Sequence, residues 1–428
     1  MIWFYKINSN RQLLCLFILV AFFSYFKTSA YTIDELQQKI EATNQTKAQL
    51  EKEIAAYETQ LKAVGEEKDT LQNAIKTLEL SGKKIATDIK LNQNKISTTN
   101  LQIEELTNNI GQKKEKINSN LGTISFSLRE MDREGSQTIL ESFLADKRIS
   151  DTWNKIEVIN RFQDSLKKQT AEVKETKAVL EGNKTEAEKK KKELITLKNQ
   201  LLDRQKILES NKKAQSTLLA LTKNQESNYR KLLDDRLAKK DAFEKELFGY
   251  ENALKIAIDP KSIPAAGKGV LSWPVNNVRI TQLFGKTAYS ARLYTSGSHN
   301  GVDFGVPVGS IVKAARGGVI VGTGDTDTVC PGASYGKWVL IKHDNGLTTV
   351  YGHLSLIKVF AGQTVNTGDI IAYSGNTGYS IGPHLHLSVY ASQGVKVSQL
   401  KSAVCKGTYT MPIADVKAYL DPMIYLYF

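Results

Sequence analysis

Gly382-Pro383-His384-Leu385-His386-Leu387-Ser388-Val389-Tyr390 is the stretch on which the reading of this chain turns. Leu385, Leu387, Val389 and Tyr390 are of the aliphatic and aromatic kind that favours strands, and successive strand side chains point to opposite faces. His384 and His386 therefore share one face of a rigid element. The same logic puts His299 and Asp303 of His299-Asn300-Gly301-Val302-Asp303 on one side, and His353 stands in Tyr351-Gly352-His353-Leu354-Ser355. Four of the five histidines of the chain thus fall into one C-terminal constellation.

Around them, Val319 to Val321, Val339 to His343 and Leu347 to Tyr351 read as further strands separated by glycine-rich turns, which predicts a mainly antiparallel β domain. A catalytic zinc takes three N or O ligands and keeps a fourth position open. The constellation supplies that donor set and leaves two histidines for proton transfer. His343, alone in its strand, reads as a hydrogen-bonded core or surface residue. The segment with Asp325 and Asp327 reads as a solvated loop.

His-x-x-x-Asp at 299–303, Tyr-x-His-Leu-Ser at 351–355 and His-x-His at 384–386 together resemble the lysostaphin/LytM-type zinc metallopeptidases, over residues 269–390. The resemblance implies Zn2+ held by His299, Asp303 and His386. It implies that His353 and His384 flank the attacking water and the scissile amide, one taking a proton and the other stabilising the oxyanion. The sequence leaves open which does which. The implied substrate is peptidoglycan, cut in its stem peptide or cross-bridge.

Upstream the composition changes. Apolar residues recur at alternating spacings of three and four from Ile33 to Ile117, through Leu36, Ile40, Leu71, Ile75, Ile85 and Ile103, with polar interruptions such as Thr43, Gly82 and Asn92. This predicts an N-terminal all-α antiparallel coiled coil whose first helix spans 31–122. At ~1.5 Å per residue the seam would make a rod of about 130 Å. A second helix is expected over 166–258, carrying Leu194, Leu201 and Leu208 and then Tyr229, Phe243 and Tyr250 on one register. Between them, 123–165 holds Phe126, Phe143, Trp153 and Ile159, expected as short helices that cap the coil or dock a partner. Residues 259–268, with Pro260 and Pro264, read as a linker that lets coil and enzyme domain (269–428) move independently.

This order of coil and LytM-type domain is also similar to EnvC-like cell-division regulators and to coiled-coil endopeptidases governed by FtsEX-type transporters. That similarity implies a membrane partner of the FtsEX type at the tip near Phe143 to Ile159, and a coil segment covering the catalytic groove. EnvC-like members lack zinc ligands and activate a separate murein amidase. The intact histidine set here argues for a hydrolase, with the non-enzymatic activator as the alternative.

Lys6 and Arg11, the apolar run Leu13 to Phe26 and Thr28-Ser29-Ala30 read as a secretory signal over 1–30, cut after Ala30, with export to the periplasm, the cell envelope or the extracellular space. The apolar run is shorter than the ~20 residues of a spanning helix, although an uncleaved anchor is the alternative reading. Cys15 would leave with the signal, and Cys330 and Cys405 would form a disulfide in an oxidising compartment or remain two separate thiols. The 58 Lys and Arg against 45 Asp and Glu give net +13, which suits approach to an anionic wall or headgroup surface. The run Lys189 to Lys192 lies among glutamates without a base-reading module, so nucleic acid is not an expected partner.

Overall fold

The structure, a computed structural model, describes residues 31–65, 70–134, 149–254, 258–265, 267, 269–286, 290, 297–380 and 382–426. The expected signal over 1–30, Phe143 at the expected tip and most of residues 286–298 lie outside the described residues. The long helices are α1 (Ile33–Gly65), α2 (Leu71–Glu134), α3 (Ile149–Thr222) and α4 (Glu226–Leu254). Among the described residues no helix is long and apolar enough to cross a membrane.

The chain divides into two units. In the first, residues up to Gln45 lie against part of Ile96–Ile195: Gln37 donates to Glu105 at 3.1 Å and Thr98 to Thr43 at 2.7 Å. One set of numbers falls as the other rises, so α1 runs antiparallel to α2. In the second unit Lys84 of α2 reaches Glu58 of α1 at 3.4 Å, the same sense. The single rod expected over 31–122 is therefore corrected to a helix folded back on itself. The local cause is legible: Gly65 is a favoured helix terminator, and Thr70 opens α2 as an N-cap by accepting the Asn73 N–H at 3.2 Å.

Helices α2 and α3 form the antiparallel pair of the expected hairpin. In the second unit the Asn92 side-chain amide donates to the Leu197 carbonyl at 2.9 Å, and Arg204 pairs with Asp88 at 2.9 Å. The polar interruption at Asn92 is thus a buried cross-helix hydrogen bond. In the first unit, 123–134 and 149–165 continue α2 and α3 rather than forming short tip helices, because no glycine or proline interrupts either run. Phe126, Leu128, Trp153 and Val158 remain exposed, Trp153 by 68%.

The second expected coil helix, 166–258, also breaks. Lys223 and Asn224 take left-handed backbone angles, with φ of 49° and 55°, and separate α3 from α4. Helix α4 then leaves the coil and joins the β domain. Phe243 is 1% exposed and stacks on Tyr409 with ring centroids 5.4 Å apart, Leu247 and Leu254 pack beside it, and Glu246 accepts hydrogen bonds from Ser402 and from the Ala403 N–H. The stretch 259–268 is no free linker: the Asp259 N–H donates to Gln393 at 2.9 Å and the Gly267 N–H to the Ile424 carbonyl at 3.1 Å. Coil residues of the same unit, Ile85 and Ile207, cluster with Val308 and Tyr373, and Asp203 accepts from Lys358 at 2.7 Å and Tyr373 at 3.2 Å. These contacts fix α4 and the adjoining coil to the β domain.

The β domain comprises β1 (Ile280–Gln282), β2 (Val302–Phe304), β3 (Ile311–Lys313), β4 (Gly318–Asp325), β5 (Lys337–His343), β6 (Leu347–Ile357), β7 (Thr364–Val365), β8 (Ile370–Ser374), β9 (Leu385–Ala391), β10 (Val395–Ser402), β11 (Gly407–Ala414) and β12 (Tyr419–Leu420). The main sheet runs β1-β2-β9-β6-β5-β4-β7 with antiparallel neighbours; β12 pairs with β9, and β8 pairs with β3 and β6. Strands β10 and β11 form a separate hairpin, tied to the loop before β5 by a Cys330–Cys405 disulfide with Cα atoms 5.4 Å apart. Phe304, Val339, Ile341, Leu385 and Leu387 are fully buried beneath the central strands. Burial of five such side chains holds β2, β5 and β9 as one rigid plate, each contributing about 1.5–3 kcal/mol.

Candidate metal centre

Three neighbouring strands, β2, β9 and β6, set the site. Asp303 lies directly across from His386, and His386 lies across from Gly352 on the other side. His299 is fixed by a bridge to Gly285, and His384 by a bridge to Gly375. Gly301, inside His-Asn-Gly-Val-Asp, must be glycine: a Cβ there would stand 2.5 Å from the Leu387 carbonyl oxygen and 2.6 Å from the His386 ring. His353 holds φ of +58° within a strand, and its N–H donates to the Tyr335 carbonyl at 2.7 Å. Such a conformation in a non-glycine residue costs energy and tends to mark functional positions.

Three donor atoms meet at the centre. His299 Nε2 is 3.2 Å from His386 Nδ1 and 3.3 Å from Asp303 Oδ1, and His386 Nδ1 is 2.9 Å from Asp303 Oδ1. All three residues are buried, and together they could hold a metal ion. The opposite ring nitrogens are committed elsewhere: His299 Nδ1 donates to the Leu283 carbonyl at 3.1 Å, and His386 Nε2 bonds Ser388 Oγ at 2.8 Å. Partners of this kind orient a ligating imidazole. Burial alone would push the Asp303 carboxyl up, but His384, His299 and His386 outweigh it and hold it well below the usual carboxylate range. Burial lowers His386, against the opposing pull of Asp303.

His353 and His384 stand beside this triangle with ring centroids 4.5 Å apart. His353 Nδ1 donates to the Thr377 carbonyl at 2.8 Å, and His384 Nδ1 to the Gly382 carbonyl at 2.7 Å, so each ring turns Nε2 the other way. His384 Nε2 is 3.7 Å from Asp303 Oδ1. Burial first, then His384 and His386, keep His353 well below the usual histidine range and therefore neutral near pH 7. The loop carrying Thr377 is pinned by Asp327, which accepts the Gly378 and Gly332 N–H groups, each at 2.8 Å. The segment expected as solvated is thus a half-buried anchor, held by these two bonds.

The structure brings all five expected residues together: His299, Asp303, His353, His384 and His386. His343 lies elsewhere, bonded to the Gly317 carbonyl and Thr349, with burial lowering it to about 4. Reading the sequence missed Thr377, Ser388, Tyr335 and Asn300. Ser388 was findable, since it follows His386 by two and so shares its face. Tyr335, whose hydroxyl receives the Asn300 side-chain amide at 3.2 Å, comes from a distant loop and leaves no local signal.

An antiparallel β domain with a buried His-Asp-His donor triangle and two flanking histidines is a metallohydrolase type of site. Residues 297–399 match Peptidase family M23, so the C-terminal region is an M23 peptidase domain. The chain is 38% identical over 113 residues to the DD-carboxypeptidase/endopeptidase Mpg of Neisseria meningitidis serogroup B, covering 26% of this chain and 24% of that one. It is 42% identical over 106 residues to the peptidoglycan DD-endopeptidase ShyA of Vibrio cholerae, covering 25% of this chain and 23% of that one. Among solved structures, a zinc containing peptidase from Vibrio cholerae matches at 32% identity with a TM-score of 0.25, covering 30% of this chain and 37% of that one. The chain therefore spans about a quarter of the length of these curated relatives.

Proposed function

We propose that this protein is an exported zinc endopeptidase that cuts amide bonds in peptidoglycan stem peptides or cross-bridges. The observation that carries the reading is the donor triangle with two flanking imidazoles. Tetrahedral zinc with bonds of ~2.0–2.1 Å sets its donors about 3.3 Å apart. The three edges here, 3.2, 2.9 and 3.3 Å, fit that spacing. His299 through Nε2, Asp303 through Oδ1 and His386 through Nδ1 would hold the ion.

When bound, zinc supplies a Lewis acid that polarises the scissile carbonyl and acidifies water. The rest falls to the protein's own side chains. His353, neutral by burial and by its histidine neighbours, presents Nε2 as a proton acceptor. One of the two imidazoles, His353 or His384, takes the proton of the attacking water at Nε2 and delivers it to the leaving amine, while the other stabilises the oxyanion. Thr377 and Gly382, by accepting the Nδ1 protons, keep both rings in the tautomer this transfer needs. Asp303, unprotonated throughout the neutral range, stabilises positive charge arriving on His384.

Export to the envelope is supported by the pattern of residues 1–30, and peptidoglycan as substrate by the relatives named above. The exposed Phe126, Leu128, Trp153 and Val158 offer an apolar surface for a membrane complex of the FtsEX type. The test is zinc content and digestion of purified sacculi by the full chain beside His386→Ala, with mass spectrometry of released fragments. The reading expects one zinc per chain and new peptide ends that vanish in the variant. Digestion that persists without zinc, or bound zinc without any cleavage, would overturn it.

A further inference from the structure

His353 is held from two sides by two loops that are tied together through Asp327. On one side its N–H donates to the carbonyl of Tyr335, in the segment 326–336 between β4 and β5. On the other its Nδ1 donates to the carbonyl of Thr377, in the loop 376–380 that follows β8. The same loop carries Ser380, whose Oγ lies 3.1 Å from His384 Nδ1 and donates to the Gly382 carbonyl at 2.7 Å. Both flanking imidazoles therefore depend on this loop for their orientation.

Direct bonds join the two loops. Asp327 Oδ1 accepts the Gly332 N–H and Oδ2 the Gly378 N–H, so one carboxylate closes the first loop on itself and grips the second. The Tyr379 N–H donates to the Ser334 carbonyl at 2.9 Å, the Lys337 N–H to Thr377 Oγ1 at 3.0 Å, and Thr377 Oγ1 to the Leu354 carbonyl at 2.8 Å. The backbones meet so closely that a Cβ on Gly378 would stand 2.2 Å from the Gly336 nitrogen. A strained backbone such as that of His353 persists only where its surroundings over-determine it, and this clamp does so. The bond at one imidazole nitrogen decides which nitrogen carries the proton. A displaced Thr377 carbonyl would therefore turn His353 Nε2 from its task. Two N–H donors face two carboxylate oxygens at Asp327, and an amide in that place could accept only one of them. The metal donors Asp303 and His386 stand on β2 and β9, and His299 on its bridge to Gly285, outside both loops.

We propose that Asp327 is a positioning residue for the peptidase reaction: by tying the segment 326–336 to the loop 376–380 it holds His353 and His384 in their working orientation, without a part in metal binding. The inference rests on the endopeptidase reading above.

The experiment is steady-state cleavage by the full chain of muropeptide dimers, released from sacculi with a muramidase, beside zinc affinity by competition with a chromophoric chelator. Hydrogen exchange of the peptide holding Gly378 reports on the clamp independently of activity. Asp327→Asn keeps the shape and loses one acceptor, Thr377→Val removes the loop hydroxyl and Thr377→Ser restores it. Asp325→Asn, in the same region, keeps an oxygen for the Asp327 N–H and removes the charge facing Lys337 at 3.4 Å. Asp327→Asn and Thr377→Val should each lower kcat by about 10–100-fold, since a misplacement of about 1 Å can cost on the order of 10²-fold. KM and zinc affinity should match wild type, so kcat and kcat/KM fall together, the pattern of an interaction made in the transition state. Exchange at Gly378 should quicken in Asp327→Asn, while Thr377→Ser and Asp325→Asn should stay near wild-type kcat. Unchanged kcat or unchanged exchange in Asp327→Asn would overturn the proposal. So would an equal fall in Asp325→Asn, or a loss of kcat that comes with lost zinc, because either marks general damage to the site. Wild-type protein that cleaves nothing would sink the endopeptidase reading and this inference with it, whereas active wild type with unaffected variants sinks only the positioning role.

Discussion

Replacing Phe243 by alanine tests whether α4 belongs to the β domain or to the coil. Phe243 is 1% exposed, its ring meets Tyr409 at 5.4 Å with planes tilted by 48°, and Leu247, Leu254 and Trp338 share the cluster. Removing a fully buried phenylalanine costs about 3–5 kcal/mol, the lost aromatic pair included, because the packed neighbours relax only in part. For a unit of this size about 4 kcal/mol corresponds to a fall in Tm of roughly 8–16 °C. The assay is thermal unfolding followed by tryptophan fluorescence, to which Trp338, 0% exposed in the same cluster, reports directly. Phe248→Ala is the control: five residues along the same helix and 47% exposed, it should shift stability by no more than about 0.5 kcal/mol. A Phe243→Ala fall no larger than that of Phe248→Ala would refute the docking of α4.

Four further outcomes are expected. Glu251 has its carboxyl raised from 4.5 to about 7, so between those values the folded chain binds more protons than the unfolded one and stability falls as pH rises. Glu251→Gln removes that loss and should gain on wild type by up to about 1.4 kcal/mol per pH unit in denaturant melts between pH 5 and 7; parallel curves would exclude it. Chelation should lower the Tm of the β domain and zinc at 100 times its Kd should restore about 2.7 kcal/mol, a recovery that Asp303→Asn abolishes in the same melts. The Cys330–Cys405 disulfide closes a separation of 75 residues, so Cys405→Ser should destabilise by roughly 4 kcal/mol on a chain-entropy account, read as a lower urea midpoint. A fragment of residues 226–428 should melt cooperatively and well above one of residues 265–428, since the shorter piece lacks Phe243, Leu247, Glu251 and Leu254.

The site was legible because its chemistry is carried by rare residues in short, fixed spacings. His384 and His386 alternate within β9, and Asp303 meets His386 by strand register, so period-two reasoning placed them on one face before any pairing was known. Thr377 and Tyr335 were not legible, since their contributions are a carbonyl and a hydroxyl delivered by loops, and neither residue type is scarce enough to announce itself. The coil was legible as a coil, but its course was not. A heptad pattern continues unchanged through a reversal, because each arm keeps an apolar stripe whether the partner lies ahead or behind. Gly65 and Thr70 mark the ends of the two arms, and each is a common residue in a polar stretch.

The failure over 166–258 has a more general cause. Tyr229, Phe243 and Tyr250 fall at multiples of seven, a register that marks one face of a helix but not what packs on it. A β surface serves as well as another helix. The change of partner is written only in Lys223 and Asn224, whose left-handed backbone ends α3 and releases α4 to turn onto β11 and β12. Once there, the helix supplies an aromatic anchor to the core through Phe243 and an acceptor for the Tyr419 hydroxyl through Glu251. The boundary between coil and β domain therefore falls near residue 223 rather than at the proline-rich stretch, and the helix that composition assigns to the coil is built into the β domain.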